Sequence, residues 1–272
     1  MTNASITLFT DMVETVLQET SFVPSIAKGL YGSGQIVRGG AVEVLGTEDV
    51  TIGQYTGQMT HQALAGTNQK VQISHAPYYS VKLDGVKDLA TAPANLKSFV
   101  VQKAGKGLAL DLDTEFVKLA SKAKVTVTAD QSKVDNGFTG LVTAFDLANV
   151  GLNDRAVILD PMTCNTLISL QAHKLQVEKS ANYLYEGYIG LYYGIQVFKS
   201  NKIGKTGDIH NCIGVDTSSV ILPKNYEETR EAKGVDFFGV AVQGIVSYGL
   251  DIIETETGKS NRIIAFDVDS TK

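Results

Sequence analysis

Residues 78–123 read YYSVKLDGVKDLATAPANLKSFVVQKAGKGLALDLDTEFVKLASKA, a short alternating segment followed by a long helical one. Val81 and Leu83 alternate with polar residues, which is the period of a half-buried strand. Pro93 suits the first turn of a helix, since its missing N–H would have no partner there in any case. The stretch therefore predicts a strand that leads into a helix over about residues 93–123.

The predicted helix has one apolar face. Its members recur at steps of seven, four, four, three and four, and they are Val101, Leu108, Leu112, Phe116, Leu119 and Ala123. Gly105 and Gly107 lie inside the helix, where each costs about 1 kcal/mol relative to alanine, so we predict a bend or weak point. Lysines and the acids Asp111, Asp113 and Glu115 are assigned to the polar, solvated faces.

Toward the N-terminus, two further segments alternate in the same way. Val50 and Ile52 form one, Val71 and Ile73 form the other, and a polar stretch lies between them. The simplest arrangement is a long β-hairpin over about residues 50–84 with an exposed tip. A hairpin of this kind is marginal on its own in water. It is therefore expected to lie on another surface, either of its own domain or of a neighbouring chain.

The N-terminal region is predicted to be an arm. Phe9, Met12, Val13 and Val16 have helical spacing, which indicates a short amphipathic helix. Residues 24–46 follow, and glycines crowd them, so this stretch is expected to be an extended strap and not part of the core.

After the long helix, strands and helices are mixed. Residues 155–159 are a buried strand, and Asp160 with Pro161 supplies an N-cap and a first helical residue. That helix is expected to reach about residue 175 with Leu167, Ile168 and Leu170 inward. Further strands are predicted over 195–198, 219–222, 237–247, 250–254 and 262–268. Because βαβ regularity is missing, the fold class is α+β.

Composition excludes several classes of protein. The chain has 272 residues and a formal charge of −5, and 43% of its residues are hydrophobic, which describes a globular protein. Apolar runs of about 18 residues are missing, so no membrane span is expected. The first residues lack a basic region and are not expected to be a signal peptide. The acidic balance argues against a chain whose main role is gripping nucleic acid.

Candidate chemistry is sparse. His210 and Cys212 are two potential metal ligands, but a structural zinc site needs four, so a loop histidine beside a buried cysteine is the favoured interpretation. Residues 29–34 are glycine-rich but lack the GK[ST] ending of a phosphate loop. The tyrosines between 183 and 193 are interpreted as interface or core residues, because no lysine or arginine lies between them. We therefore expect no catalysis, no metal and no cofactor.

The order of these pieces resembles the HK97-type fold of tailed-phage major capsid proteins, which encapsulin shells share. Four strings carry the resemblance: EDVTIGQYTG (48–57), YYSVKLDGV (78–86), RAVILDPMTCNTLISL (155–170) and EGYIGLYYGIQVFKSNKIG (186–204). The resemblance covers nearly the whole chain. Each string is weakly specific alone, and their order along the chain is the specific part.

The resemblance implies a division into named parts. These are an N-terminal arm and strap (1–46), an E-loop hairpin (47–86), a spine helix and peripheral domain (87–137), an axial domain (138–235) and return strands (236–272). An arm and a hairpin that gain burial only on neighbouring subunits agree with this reading of the residues.

The resemblance also implies a function. The chain is expected to be a structural protein that forms pentamers and hexamers of an icosahedral head enclosing double-stranded DNA. Expected partners are a scaffolding protein, a portal and decoration proteins, with no membrane, and the expected locations are the virion and, during assembly, the host cytoplasm. Two alternatives stay open: an encapsulin-type compartment, and a soluble α+β enzyme or binding module.

The candidate site residues are contacts between subunits. Hairpin-tip residues 58–70 are expected to lie over an adjacent subunit, and three tyrosines are expected to anchor the hairpin base. The contact candidates are Arg38, Glu43, Tyr55, Gln58, His61, Asn68, Lys70, Tyr78, Tyr79, Tyr183, Tyr185 and Tyr188.

Overall fold

The computed structural model describes residues 12–13, 15–17, 20–27, 41–46, 67–84, 96–171, 187–233, 239–255 and 258–271. Residues 12–13, 15–17 and 20 are helical. The later helices are α1 (Val23–Ile26), α2 (Leu96–Lys118), α3 (Val134–Leu147) and α4 (Pro161–Gln171). The strands are β1 (Ala41–Gly46), β2 (Thr67–Gln72), β3 (Tyr78–Asp84), β4 (Ala123–Asp130), β5 (Arg155–Leu159), β6 (Tyr188–Tyr192), β7 (Ile195–Lys199), β8 (Lys205–Thr206), β9 (Ile209–Asp216), β10 (Val220–Ile221), β11 (Lys224–Lys233), β12 (Gly239–Tyr248), β13 (Asp251–Ile252) and β14 (Ser260–Asp269).

A mixed sheet of seven strands forms the centre of the fold. Its order is β4-β14-β9-β5-β7-β6, and β8 pairs with β9. The outer pair β14 and β4 runs parallel, as do β5 and β7, while β9 is antiparallel to both of its long neighbours. All five residues of β5 are buried, as predicted: residues 156–159 are a continuous apolar run, and the buried Arg155 pairs with Asp146.

Helix α3 packs on this sheet through close backbone contact. A Cβ added to Gly137 would overlap the side chains of Ala129 in β4 and Phe266 in β14. Phe138 meets Phe266 edge-to-face, with ring centroids 5.9 Å apart. The inward face of α3 carries Phe138, Leu141 and Phe145, which are fully buried.

The long helix is confirmed as α2, which continues into a short 3-10 turn at Leu119–Lys122. Five members of its predicted apolar face are buried, but the helix ends before residue 123, and Ala123 is a partly buried residue of β4. The helix runs uninterrupted through Gly105 and Gly107, so the predicted bend or weak point does not break it. A Cβ on Gly105 would lie 3.0 Å from Val16, so this glycine allows the N-terminal helical residues to pack closely. The α2 end is capped by Lys259, whose Nζ donates to the carbonyl of Ser121 at 2.7 Å.

The N-terminal segment is part of the core. Phe22, Val23 and Ile26 are between 0% and 2% exposed, and Phe22 meets Phe116 of α2 edge-to-face at 5.4 Å. The prediction of a strap beginning at residue 24 is therefore wrong for residues 24–27. Glycine-rich composition downstream of Ala27 concealed the fact that the first residues of the stretch are apolar.

The described strands of the hairpin region pair differently from the prediction. β1 at residues 41–46, assigned to the strap, pairs antiparallel with β2. β3, assigned to the second leg, pairs instead with β12 in a three-stranded sheet of order β11-β12-β3. Alternation identifies a strand but does not name its partner, and residues 47–66, including the string at 48–57, lie outside the described residues.

Two strands, β9 and β11, were not predicted from the sequence, and one helix face was predicted incorrectly. β11 reads KNYEETREAK and carries no apolar alternation, so it is held in place by pairing with the apolar β12. His210 was placed in a loop, but it is a buried residue of β9. In α4, Leu167 is inward as predicted, whereas Ile168 and Leu170 are 39% and 46% exposed.

Candidate assembly surfaces

The base of the hairpin is the β1–β2 ribbon. Its register places Val42 opposite Val71 and Glu43 opposite Lys70. Val71 is 2% exposed and packs with Ile221 and Ile253, which form a small apolar cluster separate from the main core. The ribbon therefore has a buried face that fixes it to the rest of the subunit.

A single side chain joins the ribbon to β13. Gln69 Nε2 donates to the carbonyl oxygen of Ile252 at 2.9 Å, and its Oε1 accepts from the backbone N–H of Glu254 at 3.0 Å. The side-chain amide of Gln69 thus bonds the carbonyl of Ile252 and the N–H of Glu254, two backbone groups that a neighbouring strand would normally bond. Sequence reasoning missed Gln69, although it lies two residues before Val71 and therefore on the same inward face of β2.

Lys122 reinforces this attachment from the end of α2. Its Nζ lies 2.7 Å from Asp251 Oδ1 and 2.8 Å from Glu254 Oε1. Burial opposes the charge of Lys122, but the two hydrogen bonds outweigh burial and raise its pKa. The hydrogen bond from Lys122 in turn lowers the pKa of Glu254. The long helix, β13 and the ribbon are consequently connected at one place.

The three-stranded sheet has an outer polar face. Arg230 Nε donates to Gln243 Oε1 at 3.2 Å, and Gln243 Nε2 donates to Ser80 Oγ at 3.3 Å, so one chain of hydrogen bonds crosses all three strands. An open groove of about 460 Å³ lies beside it. Tyr78, at the edge of this face, is 77% exposed. An exposed aromatic residue beside a satisfied polar row is typical of a surface that makes contacts with other proteins.

Tyr79 has a different role from its neighbour. Its hydroxyl is hydrogen-bonded to Thr229 Oγ1 at 3.1 Å, and a Cβ on Gly244 would overlap its ring. The ring therefore crosses β12 above Gly244 and joins β3 to β11. Within the subunit, Tyr79 fixes the strand that follows the hairpin.

A buried polar cluster surrounds the start of α4. Asp160 caps the helix as predicted, accepting from the N–H of Met162 at 2.9 Å. The same carboxylate lies 3.0 Å from His210 Nδ1 and accepts from Cys212 Sγ at 3.6 Å. Burial raises the pKa of Cys212 above its usual range. The groups that sequence analysis weighed as metal ligands are thus partners of a helix cap, and the described residues contain no group of three or more His, Cys, Asp or Glu side chains suited to a metal ion.

Two of the three described tyrosines of the 183–193 cluster, Tyr188 and Tyr192, pack inside the subunit. Tyr188 meets Phe198 edge-to-face at 5.4 Å. Tyr192 is 1% exposed and donates a short hydrogen bond from its hydroxyl to Asp135. Burial raises the pKa of Tyr192, and the hydrogen bond with Asp135 adds to the shift. Tyr193 is 49% exposed and is the member of this group open to solvent.

The contact candidates fall into three groups. Six lie outside the described residues: Arg38, Tyr55, Gln58, His61, Tyr183 and Tyr185. Asn68 and Lys70 are in β2 and not at a hairpin tip, and Glu43 faces Lys70 in β1. Tyr78, Tyr79 and Tyr188 stand as described above. Their contacts with other subunits stay predictions.

Among the described residues, no helix is long and apolar enough to cross a membrane.

The polar face of α2 carries an ion pair. Lys118 Nζ lies 2.5 Å from Glu115 Oε1, one helical turn away. This pairing agrees with the expectation of a solvated, ion-paired face.

Comparison with known proteins shows the fold. No protein-family model matches the chain, and no curated protein matches it. Among solved structures, the capsid of Ralstonia phage GP4 aligns with a TM-score of 0.73 at 10% identity, covering 93% of this chain and 92% of that one. A structure from Mycobacterium phage Che8 gives 0.68 at 17% identity, covering 90% of each chain.

A virus-like particle from Pyrococcus furiosus gives a TM-score of 0.60 at 10% identity, covering 96% of this chain and 99% of that one. These alignments extend over almost the entire length of every chain compared. The chain therefore has the α+β, HK97-like capsid fold that the order of its sequence elements predicted.

Proposed function

We propose that this chain is the major structural protein of an icosahedral phage head, self-assembling into pentamers and hexamers around double-stranded DNA. The observation that carries the proposal is the extent of the structural likeness: 93% of the chain aligns with 92% of the capsid protein of Ralstonia phage GP4. A shared domain inside an unrelated protein would leave a large part of one chain unmatched.

The geometry of the chain supports an assembling role. The β1–β2 ribbon is attached through Gln69 and the small Val71 cluster, and not by the main core. Tyr78 and the polar row of the outer sheet face are exposed. Elements with limited attachment to their own subunit can gain further burial on a neighbour.

A structural role without catalysis belongs to the same proposal. The buried titratable groups at Asp160, His210 and Cys212 are engaged with one another at a helix cap, and they do not converge on an open cleft. The net charge of −5 suits a shell that confines packaged DNA without binding its sequence. A scaffolding protein, a portal and decoration proteins are the expected partners, with assembly in the host cytoplasm before the virion forms.

An encapsulin-type compartment is the second candidate, because the Pyrococcus furiosus particle has the same fold across 99% of its chain. The two candidates differ in content. A phage head holds nuclease-protected double-stranded DNA, whereas a compartment holds a protein cargo.

The test is electron microscopy of the purified chain, expressed alone and with its co-encoded scaffolding protein. Closed icosahedral shells, or rings of five or six subunits, are expected. A monodisperse monomer under both conditions would overturn the assembly proposal. Particles purified from the producing cells are then treated with nuclease: protected DNA supports the phage head, and protein cargo without DNA assigns the compartment instead.

A further inference from the structure

A buried carboxyl group lies beneath the N-terminal segment. Asp113 is on the inner face of α2 and is 5% exposed, although sequence analysis placed it on a polar face. Ser21, which is fully buried, donates its hydroxyl to Asp113 Oδ1 at 2.5 Å. The backbone N–H of Phe22 also bonds this carboxyl group. Both contacts come from outside the helix, so Asp113 joins two elements that are 92 residues apart.

The segment held in this way is otherwise apolar. Phe22, Val23 and Ile26 are between 0% and 2% exposed. Ser21 Oγ also accepts from the N–H of Val23 at 3.2 Å, so the turn that begins α1 is built on the same hydroxyl. Any movement of residues 20–27 away from α2 would admit water to Asp113.

We propose that Asp113 is a protonation-controlled clamp, which holds residues 20–27 on the long helix more tightly when its carboxyl group is neutral than when it is ionised. The clamp is a property of the folded subunit and does not depend on the function proposed above. Its readout is local opening of the N-terminal segment as a function of pH.

The surroundings of Asp113 determine the direction in which its pKa is shifted. Burial raises the pKa of Asp113 from 3.8 to about 7, against the hydrogen bonds of Ser21 and Phe22 and the charge of Lys202, which lower it. Residues 20–27 contain no titratable side chain. The charge of Lys202, in the turn after β7, acts on Asp113 and lowers its pKa. On α2 itself, Asp111 is engaged with Tyr248 and Glu115 with Lys118.

The docked state therefore binds a proton that the open state releases. A solvated Asp113 returns toward its ordinary pKa, so opening is accompanied by proton loss between about pH 4 and pH 7. The stabilisation is fully present below pH 4 and is lost as pH rises through about 7. Because one pKa unit is a tenfold effect, the opening equilibrium should rise by up to about 100-fold between pH 5 and pH 8.

The experiment is amide hydrogen exchange of the full chain, read by mass spectrometry at pH 5 and pH 8. Protection is corrected for the pH dependence of chemical exchange, and the peptide covering residues 20–27 is compared with one covering β5. Asp113→Asn keeps an oxygen acceptor for Ser21 and Phe22 but cannot ionise. Asp208→Asn is the matched control, because Asp208 is exposed and the substitution removes the same negative charge at a different site.

We expect wild type and Asp208→Asn to lose protection in residues 20–27 by one to two powers of ten from pH 5 to pH 8, with β5 unaffected. Asp113→Asn should show no such loss. An equal loss in Asp113→Asn, or no loss in wild type, overturns the clamp. If the variant does not fold, infrared titration of the wild type decides: a protonated carboxyl band that disappears near pH 7 supports the clamp, and its complete ionisation by pH 5 overturns it.

Discussion

The hydroxyl of Tyr79 lies 3.1 Å from Thr229 Oγ1 although a whole strand separates their backbones, and the ring of Tyr79 occupies the space above Gly244 between them. The three residues are register partners across β3, β12 and β11. Because Gly244 has no side chain, the ring of Tyr79 can cross the central strand β12 and its hydroxyl can reach Thr229 on the other edge strand.

Substituting Gly244→Ala should displace the Tyr79 ring. We expect the free energy of unfolding to fall by about 1–3 kcal/mol, the usual cost of forcing extra volume into a packed site. Gly204→Ala is the matched control, because nothing lies within 4 Å of a Cβ there. Chemical denaturation measures both, and equal effects at the two glycines would contradict this account of Gly244.

Gln69→Ala should loosen the hairpin base. It leaves the carbonyl of Ile252 and the N–H of Glu254 without their partner, which costs about 1–3 kcal/mol where the groups stay buried. On the proposed function, shell yield in electron microscopy should fall while the isolated subunit keeps its circular dichroism spectrum. Gln102→Ala, on the exposed side of α2, should change neither property.

Asp160 can be tested by two substitutions of different severity. Asp160→Ala removes the N-cap of α4 and leaves His210 and Cys212 facing no acceptor, so we expect a loss of at least about 2 kcal/mol in unfolding free energy. Asp160→Asn keeps a cap oxygen and should cost less. Thermal unfolding measures the stability of both variants. A larger loss of stability for Asp160→Asn than for Asp160→Ala would contradict the role of Asp160 as the helix cap and as the partner of His210 and Cys212.

Lys118, at the end of α2, and Lys122, in the 3-10 turn that follows, provide a comparison of two sets of ion pairs. The side chain of Lys122 is 27% exposed and bridges two acids, whereas that of Lys118 is 65% exposed. Lys122→Ala should destabilise by about 1 kcal/mol and Lys118→Ala by less than about 0.5 kcal/mol. Since the pKa of Glu254 is lowered, its contribution is present at neutral pH and is lost as pH falls through its depressed pKa. The difference in unfolding free energy between the two variants should therefore shrink as pH is lowered, which denaturation at a series of acidic pH values measures.

Both cysteines should be unreactive in the folded subunit. Burial raises the pKa of Cys164 to about 11 and that of Cys212 further, and both side chains are at most 1% exposed. Thiol reagents act on the thiolate, so labelling at pH 8 should be slow without denaturant and complete with it. Fast labelling of either residue in the native chain would contradict their described burial.

The sequence predicted the elements whose signals are local. The apolar face of α2, the Asp160–Pro161 start of α4 and the buried run of β5 each follow from spacing within a single segment. The order of elements along the chain then indicated the fold, which the alignments confirm.

What the sequence could not supply is the identity of long-range partners. β3 alternates correctly, but its partner β12 is about 160 residues away, and nothing in either strand specifies the other. β11 has no apolar pattern because its stability comes from its neighbour's side chains and backbone. Asp113 was assigned to a solvated face because an acidic side chain in a helix is normally exposed. Its buried partner, the hydroxyl of Ser21, lies 92 residues away in the sequence and could not be foreseen.

The position of β14 in the central sheet has a consequence for synthesis. β14 lies between β4 and β9, and these two strands are joined to one another only through it among the described pairings. It is also the last described strand to leave the ribosome. The central sheet therefore cannot close until the chain is translated almost to residue 269. A chain that ends before β14 lacks the strand that joins β4 to β9, so β4 is left without its partner in the central sheet.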